Sequence, residues 1–335
     1  MRAMLPERDH RAEARALELD QRLGEVQREI GALHRRGEKE RLDFSQQIQE
    51  LEARAGELRQ TLLENRQAWH AVALARHPQR PKAQEYIQAL LADFTEIHGD
   101  RLFRDDPAML AGLGWFDGRP VVAIGAQKGK DTKENIAYNF GMPYPEGYRK
   151  ALRAMKLAEK FGYPVLSIVD TPAAFPGDAA EERGQAEAIA RNIQDMTRLR
   201  VPVLVVITGE GGSGGALAIA VGDVVLMLEN AIYTVIPPEG CAAILWRDAT
   251  KSREAAAALR LTASELAALG VVDEVVPEPT GGAHLDAQAS IAAVGGALRR
   301  HLQGLAGVPA DVLLEQRYAK YRAMGYYEEQ HDRPD

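Results

Sequence analysis

Five glycines fall within seven residues where the apolar run of VPVLVVITGEGGSGGALAIAVGD (201–223) ends: Gly209, Gly211, Gly212, Gly214 and Gly215. Glycine there lets the backbone approach a ligand closely and lets the chain take positive φ. The small-residue helix expected from Ser213 turns its unpaired N–H groups, and the positive end of its dipole, toward whatever lies against the loop. That suits an anion, or an oxygen that gains charge during reaction. Three chemistries compete. A phosphate loop of the form GxxxxGK[ST] needs Lys and Ser or Thr where the chain has Gly215 and Ala216, so that reading fails. Gly209, Gly211 and Gly214 do satisfy GxGxxG after a strand, and Glu229 stands twenty residues on, where a ribose ligand belongs. Only thirteen residues separate Gly209 from Asp223, which leaves about two turns of crossover helix. The third reading is a backbone oxyanion hole. A purely structural turn, with the helix packed close on the sheet, stays open beside them.

A second loop, in SIVDTPAAFPGDAAEERGQAEAIARN (167–192), leaves a strand at Asp170 and passes Pro172, Ala173, Ala174, Phe175, Pro176 and Gly177. It then enters a helix whose first turn carries Glu181 and Glu182, which suit a helix N-terminus. Two such loops at strand C-terminal ends are expected to be two walls of one crevice. A third element, QKGKDTKENIAYNFGMPYPEGYRKALR (127–153), places Lys128, Lys130 and Lys133 in an acidic protein. Those lysines read either as a phosphate or carboxylate site or as a solvated charge run. The eight histidines are 10, 34, 70, 77, 98, 284, 301 and 331, so none lies between 99 and 283. A nucleophilic Ser213 therefore lacks a nearby base, which sets a Ser-His-Asp hydrolase aside. Cys241, without a histidine neighbour, reads as a small buried residue. No HExxH or carboxylate–histidine cluster suggests a metal. Backbone donors without acid–base side chains suit substrates that bring their own base.

The elements that must position these loops alternate. Apolar, β-branched runs at 120–126, 164–170, 201–209, 223–230, 231–236 and 271–276 predict strands. Helical stretches are expected at 82–97, 147–161, 181–199, 213–221, 240–247, 251–260, 263–269, 284–303 and 309–324. Strands alternating with helices imply an α/β fold with a mostly parallel sheet. The first 66 residues differ, with thirteen Lys/Arg and fourteen Asp/Glu. Leu19, Leu23, Val26, Ile30 and Leu33 form one seam, and Phe44, Ile48, Leu51, Ala55, Leu58 and Leu62 another. An antiparallel helical hairpin with its turn at 34–40, around Gly37, is expected; a single continuous helix is the alternative. The prolines of ARHPQRP (75–81) end this region. The organisation expected is a helical arm over 1–80 and a catalytic domain over 81–335.

With 335 residues, 46% of them hydrophobic, the chain is long enough for a sizeable core. No apolar run reaches the ~18 residues that span a bilayer. The N-terminus is charged throughout, so no secretory signal is expected, and one cysteine fits a reducing, cytoplasmic setting. Forty-one basic against 48 acidic residues give a net charge of −7, which argues against nucleic acid as the main ligand.

Several long motifs in order carry a resemblance over about 42–326: LDF (42–44), ARHPQRP, QKGKDTKENIAYNFGMPYPEGYRKALR, DTPAAFPG, AEERGQAEAIARN, GEGGSGGALAIAVGD, PPEGCAAILW and VPEPTGGAH. The chain resembles the carboxyltransferase alpha subunits of bacterial multi-subunit acetyl-CoA carboxylases. The resemblance implies a crotonase-type core of repeated ββα units with the helical arm appended. It implies a partner beta subunit bearing a four-cysteine zinc finger, an α2β2 assembly, and no metal in this chain. Biotin is implied as carboxybiotin on the biotin carboxyl carrier protein, a substrate loaded by biotin carboxylase. Carboxyl transfer to acetyl-CoA then gives malonyl-CoA for fatty acid synthesis. By this resemblance Gly214 and Gly215 form an oxyanion hole for carboxybiotin. Gly211, Gly212, Ser213, Ala173, Ala174, Phe175, Lys128 and Lys130 are the implied substrate-binding residues. One departure stands out: the family's Gly-Ala-Tyr after TP is Ala173-Ala174-Phe175 here. Ala173 is strained if its position requires φ > 0, and Phe175 lacks the hydroxyl.

Overall fold

The β-branched runs form the middle of one sheet. A computed structural model describes residues 10–40, 42–64 and 68–325. Its strands are β1 (Ala92–Glu96), β2 (Met109–Phe116), β3 (Arg119–Ala126), β4 (Val165–Thr171), β5 (Val203–Gly212), β6 (Val224–Leu228), β7 (Ile232–Thr234) and β8 (Glu274–Val276). The sheet order is β1-β2-β3-β4-β5-β6-β8, and β7 pairs with β5 off this path. β1, β2 and β3 are antiparallel neighbours, and every pairing from β3 onward is parallel. All residues of β4, β5 and β6 are buried, as befits strands covered on both faces.

The helices are α1 (His10–Glu40), α2 (Ser45–Glu64), α3 (Ala68–Ala75), α4 (Ala83–Leu90), α5 (Thr132–Ala137), α6 (Pro145–Phe161) and α7 (Asp178–Glu182). There follow α8 (Gln185–Arg198), α9 (Ser213–Leu217), α10 (Pro238–Trp246), α11 (Ser252–Leu259), α12 (Ala263–Ala268), α13 (Ala287–Gly304) and α14 (Ala310–Arg322). Among the described residues, no helix is long and apolar enough to cross a membrane. Arg317 of α14 is buried and anchors that helix: it donates to Asp223 and to the carbonyls of Met196, Leu199 and Val201.

The hairpin is present, with Leu23, Val26 and Ala55 buried between α1 and α2. Its turn is not at 34–40. The helix runs through Gly37 to Glu40, and the chain reverses over 42–44. There the Asp43 carboxylate accepts from Ser45 N at 2.9 Å and Ser45 Oγ at 2.6 Å, capping α2. Gly37 serves close approach instead of a bend: a Cβ on it would lie 3.2 Å from the Leu42 carbonyl oxygen. Residues 1–9 of the arm, and the seam side chains Leu19 and Leu62, lie outside what is described. Residues 68–80, assigned to the arm by sequence, pack on the body: Ala71, Val72 and Ala75 meet Ile232, Ala256 and Leu261.

Three other expectations change. The helix foreseen over 82–97 stops at Leu90, and the chain turns extended to pair β1 with β2. The helix foreseen over 181–199 is two, because Gly184 takes φ 82 between α7 and α8. The helix foreseen over 213–221 ends at Leu217.

Candidate active site

Strand β5 builds the site by changing neighbours. Leu204–Ile207 pair with β6, while Glu210–Gly212 pair with β7. Between them the register against β4 slips. Val169 faces Ile207 but Thr171 faces Gly211, so β5 advances four residues while β4 advances two. The glycine loop leaves from this bulge into α9, with Ser213 at φ 54, an uncommon conformation for a residue with a side chain.

Gly212 and Gly215 seat the loop on the backbone of 172–174. A Cβ on Gly212 would lie 1.8 Å from the Pro172 carbonyl oxygen, and one on Gly215 would lie 2.2 Å from the Ala174 nitrogen. The two loops are therefore not facing walls of a crevice. They pack back to back, because no side chain stands between them. Gly211 lies under the Tyr233 ring, 2.7 Å from where its Cβ would be. Gly214 is the open one, since a Cβ there meets nothing closer than Ile189 Cγ2 at 3.5 Å. Ser213 and Gly214 line a cavity of about 410 Å³, walled by Leu217, Tyr233, Val235, Leu266 and Met324 among others. The first-turn N–H groups of α9 have no acceptor within the helix. An apolar wall beside such donors strengthens their pull on an oxyanion.

Two buried side chains fix this seat. Tyr148 Oη donates to the Gly215 carbonyl at 3.1 Å, and Asn192 Nδ2 donates to the Tyr148 carbonyl at 3.0 Å. Burial pushes the Tyr148 phenol far above its ordinary value, so it stays protonated as a donor. Replacing Tyr148 with Phe is expected to cost about 0.5–1.5 kcal/mol in urea unfolding. An unchanged unfolding midpoint would show that this bond holds nothing.

In the second loop, Thr171 Oγ1 donates to the Ala173 carbonyl at 2.7 Å. Gln185 Nε2 donates to the carbonyls of Pro143 and Phe175, and the Phe175 ring tilts against Tyr144 with centroids 4.3 Å apart. Ala173 is not among the residues with positive φ, so the replacement of glycine brings no backbone strain. Ala173, Ala174 and Phe175 are half-buried.

The lysines fall elsewhere than expected. Lys128 does not await an anion: its Nζ lies 2.8 Å from Asp170 Oδ1 and 2.5 Å from Glu210 Oε2, with the side chain almost wholly buried. Carboxylates at that depth require a cation, and Lys128 supplies it. Glu210 Oε1 also accepts from Arg76 Nε at 2.6 Å, and Arg76 Nη1 donates to Glu239 at 2.6 Å. Burial pushes the Glu210 carboxyl up, but Lys128 and Arg76 outweigh it and hold it at about 2. Lys130 and Lys133 are exposed, and Lys130 pairs with Glu85 at 2.8 Å. A neighbouring pair, Arg80 and Glu278, is fully buried. Sequence reasoning missed Arg76, Arg80, Glu210 and Glu278. Only Glu210 carried a signal, a charged residue inside an apolar strand; Arg76 and Arg80 lie between α3 and α4, and Glu278 follows β8.

Glu229 does not serve a dinucleotide site. Its Oε2 accepts from Glu278 N at 3.2 Å, on the β6 side, whereas the glycine loop has turned to β7. The five-residue α9 is also short of a pyrophosphate-binding helix. Cys241 is buried, as read.

The sheet and its flanking helices are those of crotonase-type carboxyltransferases. The chain aligns with a transcarboxylase 12S structure, a hexamer, at TM-score 0.56 and 16% identity, covering 79% of this chain and 46% of that one. It aligns with a Pseudomonas malonate decarboxylase hetero-tetramer solved with coenzyme A at TM-score 0.55 and 21% identity, covering 71% and 94%. These likenesses establish the fold. Residues 16–325 match the family described as acetyl co-enzyme A carboxylase carboxyltransferase-like, and the chain belongs to that family. It is 54% identical over 314 residues to the acetyl-coenzyme A carboxylase carboxyl transferase subunit alpha of Syntrophotalea carbinolica, covering 93% of this chain and 96% of the relative. It is 52% identical over 313 residues to the protein of the same name from Thermus thermophilus, covering 93% and 99%.

Proposed function

We propose that this chain is the alpha half of an acetyl-CoA carboxytransferase. With a beta subunit it moves the carboxyl group of carboxybiotin, carried on a biotin carboxyl carrier protein, to acetyl-CoA, giving malonyl-CoA. The observation that carries this reading is the cradle: Gly212 and Gly215 seated on a neighbouring backbone, Gly214 open to an apolar cavity, and helix N–H groups between them. The open face at Gly214, set against an apolar wall, supports a place there for the ureido oxygen of biotin. The biotin substrate supplies the carboxyl group and, once that is released, the base. The protein's own share is orientation and charge stabilisation. Gly214 and Gly215 are the donors to the oxygen that gains charge. Ala173, Ala174 and Phe175 fix the loop on which those donors rest. Lys128 stands behind the cradle and not in it.

A beta partner, with zinc in its own finger, supplies the acetyl-CoA side in an α2β2 assembly served by biotin carboxylase. Exposed apolar side chains support such a partner: Val235 at the cavity, and Ile244 and Leu245 on α10, are 74%, 71% and 64% exposed. The test is reconstitution. The purified chain alone is expected to be nearly inactive in carboxyl transfer and to gain activity when mixed with its beta partner. Full malonyl-CoA formation by the chain alone would overturn this reading.

A further inference from the structure

We propose that Arg76, which is half-buried, and the buried Lys128, Asp170 and Glu210 form a positioning device that aims the Gly214 and Gly215 amides without touching substrate. The inference rests on the oxyanion reading above. It starts from the slip in β5. Two residues too many are accommodated opposite β4 between Ile207 and Gly211, and bulges between parallel strands are rare. The slip is held by named contacts. Asp170 Oδ1 accepts from Glu210 N at 2.9 Å, so the β4 side chain grips the β5 backbone at the bulge. Lys128 Nζ bridges Asp170 and Glu210. Arg76, from the end of α3, grips Glu210 from the other side and Glu239 at the start of α10. Arg80 Nε donates to the Thr208 carbonyl at the start of the slip.

Beyond Glu210 the chain has almost no handles. Between Glu210 and Ala216, only Ser213 carries a side chain. The direction in which the 211–215 segment leaves the sheet is therefore inherited from Glu210 above and from the 172–174 backbone beneath. Buried ion pairs of this kind are a weak means of stabilisation, since apolar residues of similar volume often serve as well. What charge provides here is one register out of several for a strand segment made of glycine. Each member also has its charge answered within the cluster, and the Lys128 side chain is only 11% exposed, so it offers a substrate little surface.

The test uses the chain assembled with its beta partner, assayed well below the unfolding temperature of each variant, with kcat expressed per assembled complex. Glu210→Gln is expected to lower kcat about 10–100-fold, the scale of a sub-ångström to ångström misplacement. KM for acetyl-CoA and for the biotinylated carrier should stay within about 2-fold, since the interaction lost is made only in the transition state. Lys128→Met should act alike, and the double variant should be scarcely worse than either single one, because the two serve one device. A purely structural role would lower the unfolding midpoint and leave kcat per complex unchanged, which overturns the proposal. A raised KM at constant kcat overturns it too, because it would mean substrate contact. If Glu210→Gln does not assemble, Arg76→Lys keeps the charge but loses the fork, and an unchanged kcat there is equally fatal. Gly214→Val in the same assay separates the two claims. Wild-type kcat in Gly214→Val removes the oxyanion reading, whereas a dead Gly214→Val beside a wild-type Glu210→Gln removes the positioning device alone.

Discussion

Gly215→Ala is expected to lower carboxyl transfer by about 10²–10³-fold, the scale of losing one oxyanion donor, while Gly214→Ala keeps the fold and at least about a tenth of the rate. The contrast is steric. The added methyl at Gly215 would lie 2.2 Å from the Ala174 nitrogen and 2.4 Å from the Ala173 carbonyl carbon. Both are backbone atoms, so no rotamer change relieves the contact. Either α9 or the 170–175 loop must move, and the Gly214 and Gly215 amides move with it. At Gly214 the added methyl sits 3.5 Å from Ile189, an ordinary van der Waals distance. The measurement is malonyl-CoA formation by each variant reconstituted with the beta partner, normalised to assembled protein. A Gly215→Ala enzyme with the parent rate would show that the cradle is not the site of charge stabilisation.

The same two glycines show what was legible in the sequence and what was not. Their density after a β-branched strand announced a loop that meets something closely, and the absence of histidine from the core pointed away from side-chain acid–base work. What could not be read was the identity of the neighbour. Gly212 and Gly215 approach the Pro172–Ala174 backbone, not a ligand, and that follows from β4 and β5 lying side by side. Lys128 teaches the same lesson. A lysine in a loop beside Lys130 and Lys133 has the look of an anion site. Its partners Asp170 and Glu210 are 42 and 82 positions away in sequence, and only the parallel pairing of β3, β4 and β5 brings them together. Strand β2 was missed because MLAGLGWF carries two glycines and no β-branched residue, and antiparallel pairing with β3 along its whole length overrides that weak propensity. The hairpin turn was misplaced because Gly37 was read as a breaker, although the apolar phase continues through it and glycine inside a helix costs only about 1 kcal/mol.

Arg80→Met is expected to destabilise the chain by about 3–5 kcal/mol, the largest effect on stability foreseen for one side chain. Arg80 and Glu278 are both fully buried and 198 residues apart, and they meet through a two-pronged contact, with Nη1 to Oε2 at 3.0 Å and Nη2 to Oε1. Glu278 accepts further bonds from Asn230 N at 2.9 Å, Asn230 Nδ2 at 3.0 Å and Ala283 N at 2.8 Å. Removing the guanidinium leaves a carboxylate in a place where it cannot be hydrated. It also frees the Thr208 carbonyl at the edge of the β5 slip. The pH dependence follows with a definite sign. Burial alone pushes the Glu278 carboxyl up, but Arg80 and Asn230 hold it below its ordinary value. A carboxyl depressed on folding adds stability above its unfolded value, and that stability is lost as pH falls through the folded one. Without Arg80, burial dominates and the sign reverses: protonating Glu278 then relieves the buried charge, so the stability gap between Arg80→Met and the parent should be widest near neutral pH and narrow as pH falls. Arg80→Met combined with Glu278→Leu should recover much of the loss, because the orphaned charge is gone. Urea unfolding at pH 7 and acid titration by circular dichroism measure both effects. A single variant within about 1 kcal/mol of the parent would mean that water reaches Glu278, and that the buried fork does not hold the α3–α4 junction to β5.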